Sequence, residues 1–126
     1  MKKTIVLVSH DAQKNNLIEW AKFNLETLKK FNLYATKTTG TLLKKELGLD
    51  INLLESGPLG GDSQVGTMIV EKRADFVIFF WDPLSPQPHD VDVKALLRLG
   101  VLYNIPFACN RKTADYIISS ILFDHK

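Results

Sequence analysis

"DFVIFFW", Asp75 to Trp81, is a nearly continuous apolar run rich in β-branched and aromatic residues. A strand covered by helices on both faces has no side left for water, so it loses the alternation of a half-exposed strand and reads as this run does. "TIVLVS" (4–9) reads as a second buried strand, and "NLYAT" (32–36), "INLLE" (51–55) and "IPFACN" (105–110) as shorter ones. Between them lie segments of helical period. The first carries Leu17, Trp20, Ala21, Leu25 and Leu28 on one stripe. The second runs from about Thr39 to Leu47 and ends near Gly48, where a helix favours glycine. Later segments carry Val65, Met68 and Ile69, then Val93, Leu96, Leu97 and Val101, then Ala114, Ile117, Ile118 and Ile121. Five strand–helix alternations predict an α/β three-layer sandwich with a five-stranded, mainly parallel, doubly wound sheet, flavodoxin-like or Rossmann-like. At 126 residues the chain suits one domain, 1–126, with a real core.

Composition narrows the function classes. Hydrophobic residues at 45% and charged ones at 24% describe an ordinary soluble domain. The net charge of +2 comes from scattered cations, apart from pairs such as Lys29-Lys30 and Lys44-Lys45, and nucleic-acid binding would want them on one face. The single cysteine, Cys109, permits no internal disulfide and no thiol-based zinc set, and reads as a buried strand-end thiol. The three histidines are far apart and form no His-x-x-x-His pair, so no metal is expected. The N-terminus opens on a basic pair, but its apolar run stops at Val8, too short for a signal segment, and no stretch is long enough to span a membrane. These features predict a cytoplasmic protein.

In doubly wound folds the ligand sits beyond the carboxyl ends of the strands. Three loops there suit a phosphate. "TKTTG" offers the hydroxyls of Thr36, Thr38 and Thr39 where a helix begins and free N–H groups favour an anion. "SGP" adds Ser56 and the open backbone of Gly57, and Lys14 brings a positive charge from the first helix. Taken singly, Thr38 or Thr39 reads better as a helix cap, and it is as a set that these residues point to a phosphate. Two loops supply acid–base groups: Asp62 in "SGPLGGDSQVG" (56–66), and His89 with Asp92 after the fourth strand. His10 and Asp11 stand ready to orient them. A carboxylate facing a carbon acid, with a histidine near the oxygens, equips a site for proton abstraction beside a carbonyl. Asp62 and Asp92 also precede helices and suit N-caps, and His89 also reads as an exposed loop histidine.

"SGPLGGDSQVG", "FFWDPLSPQPHDVDVKALLRL" and "SHDAQK" closely resemble the methylglyoxal synthase family, from about Thr4 to about Ile121. The resemblance implies a carbon–oxygen lyase of the cytoplasm that converts dihydroxyacetone phosphate into methylglyoxal and phosphate without metal or organic cofactor. It implies a homohexamer inhibited by phosphate and a bypass of lower glycolysis. Position by position, Asp62 matches the catalytic base and His89 and Asp92 the other acid–base residues. His10 and Asp11 match the active-site His-Asp pair. Lys14, Thr36, Thr38, Thr39, Ser56 and Gly57 match the phosphate-binding residues.

The chain also departs from the family. Lys37 stands where many members have glycine, a strained choice if that position needs positive φ and an added charge beside the phosphate if it does not. Arg111 and Lys112 make the loop after the fifth strand more basic than is usual in the family. The chain ends at Lys126, before a tail that in several relatives carries an arginine linked to phosphate binding and subunit communication, so phosphate inhibition and hexamer details are expected to differ. The rival reading is a non-catalytic, phosphate-metabolite-sensing regulatory domain of the same fold. Such a domain should keep the phosphate loop and lose the acid–base set, and this chain retains both.

Overall fold

The computed structural model describes residues 2–84, 93–120 and 123. Strand β1 (Thr4–Ser9) leads through a 3-10 turn (Asp11–Gln13) into α1 (Lys14–Phe23) and the short α2 (Leu25–Leu28). Next come β2 (Asn32–Thr36), α3 (Lys37–Leu47), β3 (Asn52–Leu54), a second 3-10 turn (Gly57–Leu59) and α4 (Gly61–Val70). The chain continues through β4 (Phe76–Phe80), α5 (Val93–Tyr103), β5 (Phe107–Ala108) and α6 (Arg111–Ile118).

The sheet order is β3-β2-β1-β4-β5, and every pair is parallel. The structure is thus the expected three-layer α/β sandwich of Rossmann-like winding. Alternate side chains of the two central strands feed two separate cores, because successive residues of a strand point to opposite faces. Ile5, Leu7, Phe76, Ile78 and Phe80 pack with Leu17, Trp20, Leu43 and Ile118, which puts α1, α2, α3 and α6 on one face. Val6, Val8, Val77 and Phe79 pack with Val65, Met68, Ile69 and Leu96, which puts α4 and α5 on the other. All five residues of β4 are buried, as its unbroken apolar run demands.

The winding also locates the crevice. The chain moves outward from β1 through β2 to β3, then returns to the far side of β1 for β4 and β5. The carboxyl ends of β1 and β4 therefore flank the switch point, where such folds place their ligand.

Some local expectations are corrected. The first helix is two: Asn24 interrupts it, with its side-chain Nδ2 and backbone N–H both donating to Trp20 O at 2.9 and 3.1 Å. Asparagine competes with the helical hydrogen bonds in this way. Helix α3 starts at Lys37 rather than Thr39, and β5 has only two residues. Val101 does not join the buried stripe of α5 and is 85% exposed. There α5 approaches β5 so closely that a Cβ on Gly100 would strike the Phe107 ring, so Leu96 and Gly100 face the sheet and Val101 points away. Cys109 is partly exposed rather than buried. Ile121 lies outside the described residues. Among the described residues no helix is long and apolar enough to cross a membrane.

Candidate active site

The last turn of β1 and the start of α1 form the centre of the polar edge. The backbone N–H of His10 donates to Phe80 O at 3.1 Å, extending the β1–β4 pairing by one residue. The His10 ring is buried and meets Phe79 edge-on at 5.2 Å between centroids. Its Nδ1 accepts the backbone N–H of Asp82 at 2.9 Å. A nitrogen that accepts has its lone pair in use and carries no proton, so the ring is the neutral tautomer with hydrogen on Nε2. Asp82 also accepts the Leu84 N–H through Oδ1 at 2.9 Å, a local turn that fixes where the chain leaves β4.

One turn on, the Lys14 ammonium donates to Asp11 Oδ1 at 2.6 Å and to Ser9 O at 3.4 Å. The lysine side chain is 14% exposed and the aspartate 60%. Ser9 in turn shares a buried hydroxyl–hydroxyl hydrogen bond with Thr39 at 3.1 Å, joining the end of β1 to the first turn of α3. Lys14, Ser9 and Thr39 thus converge where β1 meets α3. Sequence reasoning missed Ser9 and the N–H of Asp82. The signal for Ser9 was its place as the last residue of a buried strand immediately before His10.

The α3 N-terminus carries no side-chain cap. Its N-cap is Thr36, in extended conformation (ψ 151°), and the Thr36 side chain makes no capping hydrogen bond. Neither Thr38 nor Thr39 is therefore the cap. Among the described residues the N–H groups of Lys37, Thr38 and Thr39 meet no side-chain acceptor. Such first-turn N–H groups carry the positive end of the helix dipole. The only non-glycine residues of positive φ among those described are Lys72 and Asn104, so Lys37 bears no left-handed strain.

The glycine loop folds back on itself. Ser56 O accepts from the N–H of both Leu59 (3.0 Å) and Gly61 (2.8 Å). A Cβ on Gly61 would collide with the carbonyl oxygen of Glu55 and lie 2.9 Å from Ser56 C and O. Gly60 has φ 105° and is the N-cap of α4, so Asp62 is not the cap. Asp62 sits in the first turn of α4, half-buried, and its Oδ1 accepts the Ser63 N–H at 2.8 Å. It lines a cleft of about 420 Å³ between α4 and α5, with Ser63, Gly66, Leu96 and Leu99 among its walls. Ser56 and Gly57 stand at the start of the second 3-10 turn, and the Ser56 side chain makes no capping bond.

Hydrogen bonds join Asp11, Lys14, Ser9 and Thr39 into one cluster, and the separate His10–Asp82 pair follows directly on Ser9. Asp62, Thr36, Thr38, Ser56 and Gly57 stand on the same edge of the sheet without a hydrogen bond to that cluster among the described residues. His89 and Asp92 lie outside the described residues. The Arg111 guanidinium bonds Asn16 and Glu19 of α1 at 3.4 and 3.3 Å. Among the described residues no group of three or more His, Cys, Asp or Glu is arranged to hold a metal ion.

Residues 16–109 match a family model described as an MGS-like domain. A methylglyoxal synthase of Leptospira interrogans serogroup Icterohaemorrhagiae serovar copenhageni is 58% identical over 121 residues, covering 96% of this chain and 82% of that one. A methylglyoxal synthase of Coxiella burnetii is 55% identical over 122 residues, covering 97% and 85%. The crystal structure of methylglyoxal synthase from Elizabethkingia anophelis NUHP1 is 51% identical, superposes with a TM-score of 0.94, and is matched over 97% of this chain and 80% of that one.

Proposed function

The chain belongs to the methylglyoxal synthase family, and from that premise we propose that it eliminates phosphate from dihydroxyacetone phosphate to give methylglyoxal. The observation that carries this reading is the convergence of Lys14 and Thr39 on Ser9, beside His10 and next to the uncapped N-terminus of α3. A phosphate dianion finds there an ammonium, hydroxyls and unused backbone N–H groups.

In this mechanism the Asp62 carboxylate takes a proton from the hydroxymethyl carbon beside the carbonyl. The electron pair left on that carbon becomes the double bond of an enediolate. The enediolate then collapses: its terminal oxygen forms the aldehyde, the double bond shifts toward the phosphate-bearing carbon, and the C–O bond to phosphate breaks. The enol released takes up a proton on carbon and becomes methylglyoxal. His10, presenting Nε2–H, is suited to hold a substrate oxygen. Asp11 positions the Lys14 ammonium. By the family resemblance His89 and Asp92 complete the acid–base set.

An isomerase makes the same enediolate and must keep its phosphate. A synthase needs the scissile C–O bond roughly perpendicular to the enediolate plane, so that it overlaps the π system. The α3 N-terminus with Thr36, Thr38 and Thr39, and the Ser56–Gly57 turn, supply the clamp that would impose that angle.

Homohexamer formation, inhibition by inorganic phosphate and a glycolytic bypass in the cytoplasm follow from the same premise. The exposed Val101 and Leu102 on α5 are the kind of apolar surface that subunits cover. The deciding assay mixes purified protein with dihydroxyacetone phosphate at low phosphate and measures methylglyoxal together with released phosphate. Equal yields of the two support the lyase. Absence of both across pH would return the chain to a phosphate-sensing domain.

A further inference from the structure

Lysines on α3 obey the helix dipole at one end and oppose it at the other. Lys44 and Lys45 lie in the last turn, where cations are favoured. Lys37 is the first helical residue, where the dipole disfavours a cation, and no acidic residue occupies that turn. Its side chain is exposed and forms no hydrogen bond or ion pair among the described residues. Backbone geometry does not require it either, because its φ is not positive. A residue that opposes its local environment without compensation inside the protein is the pattern of a functional position.

The surroundings indicate what would compensate it. The preceding residue, Thr36, is only 5% exposed, yet its hydroxyl has no hydrogen-bond partner among the described residues. Two residues after Lys37, Thr39 bonds Ser9, whose carbonyl holds the Lys14 ammonium. A dianion seated at the α3 N-terminus would satisfy Thr36 and turn the repulsion between Lys37 and the dipole into shared attraction.

We propose that Lys37 is an electrostatic capture residue for the dianionic phosphate of the substrate, acting at the mouth of the phosphate subsite, and this rests on the phosphate-binding reading above. Its ammonium is free to move with solvent, so it works through the field and not through one fixed contact. It raises the rate and affinity of capture and leaves the chemical step alone, because it acts on the phosphate and takes no part in proton transfer. It also favours dianionic phosphomonoesters over neutral or singly charged analogues, since each added charge on the ligand increases its share of the attraction.

Binding of inorganic phosphate, measured by calorimetry, and turnover of dihydroxyacetone phosphate should be followed in wild type, Lys37→Gln and Lys37→Arg. At low ionic strength Lys37→Gln should weaken phosphate binding and lower kcat/KM by about three- to tenfold, with kcat near wild type. Lys37→Arg should restore both. The difference should vanish at about 1 M salt, where the Debye length is about 3 Å. Equal phosphate affinity and kcat/KM in wild type and Lys37→Gln at low salt would overturn the role of Lys37 alone, as would a deficit that survives high salt. Failure of the wild type to bind phosphate at all would overturn the subsite and the capture role together.

Discussion

The imidazole of His10 and the backbone N–H of Asp82, 2.9 Å apart, tie the end of β1 to the first residues of the loop behind β4. The bond holds the ring in one orientation and assigns the proton to Nε2. Nitrogen-15 NMR of labelled protein should therefore report a neutral Nε2–H tautomer for His10, and an Nδ1–H signal would refute the assignment. His10→Ala removes the acceptor of a part-buried N–H and should cost about 1–3 kcal/mol in chemical denaturation. His10→Asn, whose amide oxygen can take the place of Nδ1, should recover part of that loss without restoring turnover.

Asp62 has two jobs that one substitution separates. Its Oδ1 holds the Ser63 N–H in the first turn of α4, and its carboxylate is the proposed base. Asp62→Asn keeps an acceptor at Oδ1 and removes the basicity. It should fold with near-wild-type stability, bind phosphate, and lose methylglyoxal formation by about 10²- to 10⁴-fold, the usual weight of a positioned base. Near-normal turnover in that variant would take the base role away from Asp62.

The glycine loop is predicted to fail at Gly61 more than at Gly60. At Gly60 a side chain meets open space and costs only the backbone strain of φ 105°, about 1–2 kcal/mol. At Gly61 the new Cβ would strike the backbone of Glu55 and Ser56, which cannot rotate away as a side chain can. Gly61→Ala should destabilise by more than Gly60→Ala, on the order of 3 kcal/mol, and should displace Ser56 and Asp62 together. Denaturant midpoints of the two variants test the order, and a milder effect at Gly61 would contradict the packing.

The layered architecture was legible because it rests on periodicity. Alternate residues of "TIVLVS" and "DFVIFFW" feed two cores, and helical spacing identified the segments that cover them. Asn24 was not legible as a break, since only tertiary context decides whether an asparagine bonds the turn before it. Val101 was misplaced because the rotation of α5 is set by the Gly100–Phe107 contact, which no single segment reveals. The site residues could be gathered to one edge by fold logic alone. Their mutual bonds could not, because Ser9–Thr39 and His10–Asp82 join residues 30 and 72 positions apart. The role of Asp82 was invisible in its side chain because the contact belongs to its backbone.

Lys14 is predicted to separate binding from folding. Its partner Asp11 is 60% exposed, and a pair so placed contributes little to stability. Lys14→Gln should therefore leave the melting temperature nearly unchanged. The same ammonium lies within 3.4 Å of Ser9 O, at the junction of β1 and α3 where the phosphate is proposed to sit. A charged hydrogen bond to that dianion is worth about 1.5–3 kcal/mol, so Lys14→Gln should weaken phosphate binding by roughly 10- to 150-fold. Unlike the charge at Lys37, this one acts through a held contact, so the loss should persist at high salt. It should also lower kcat, because the clamp that keeps the C–O bond perpendicular to the enediolate plane loosens with it. A Lys14→Gln enzyme with wild-type phosphate affinity would place the anion elsewhere on the sheet edge.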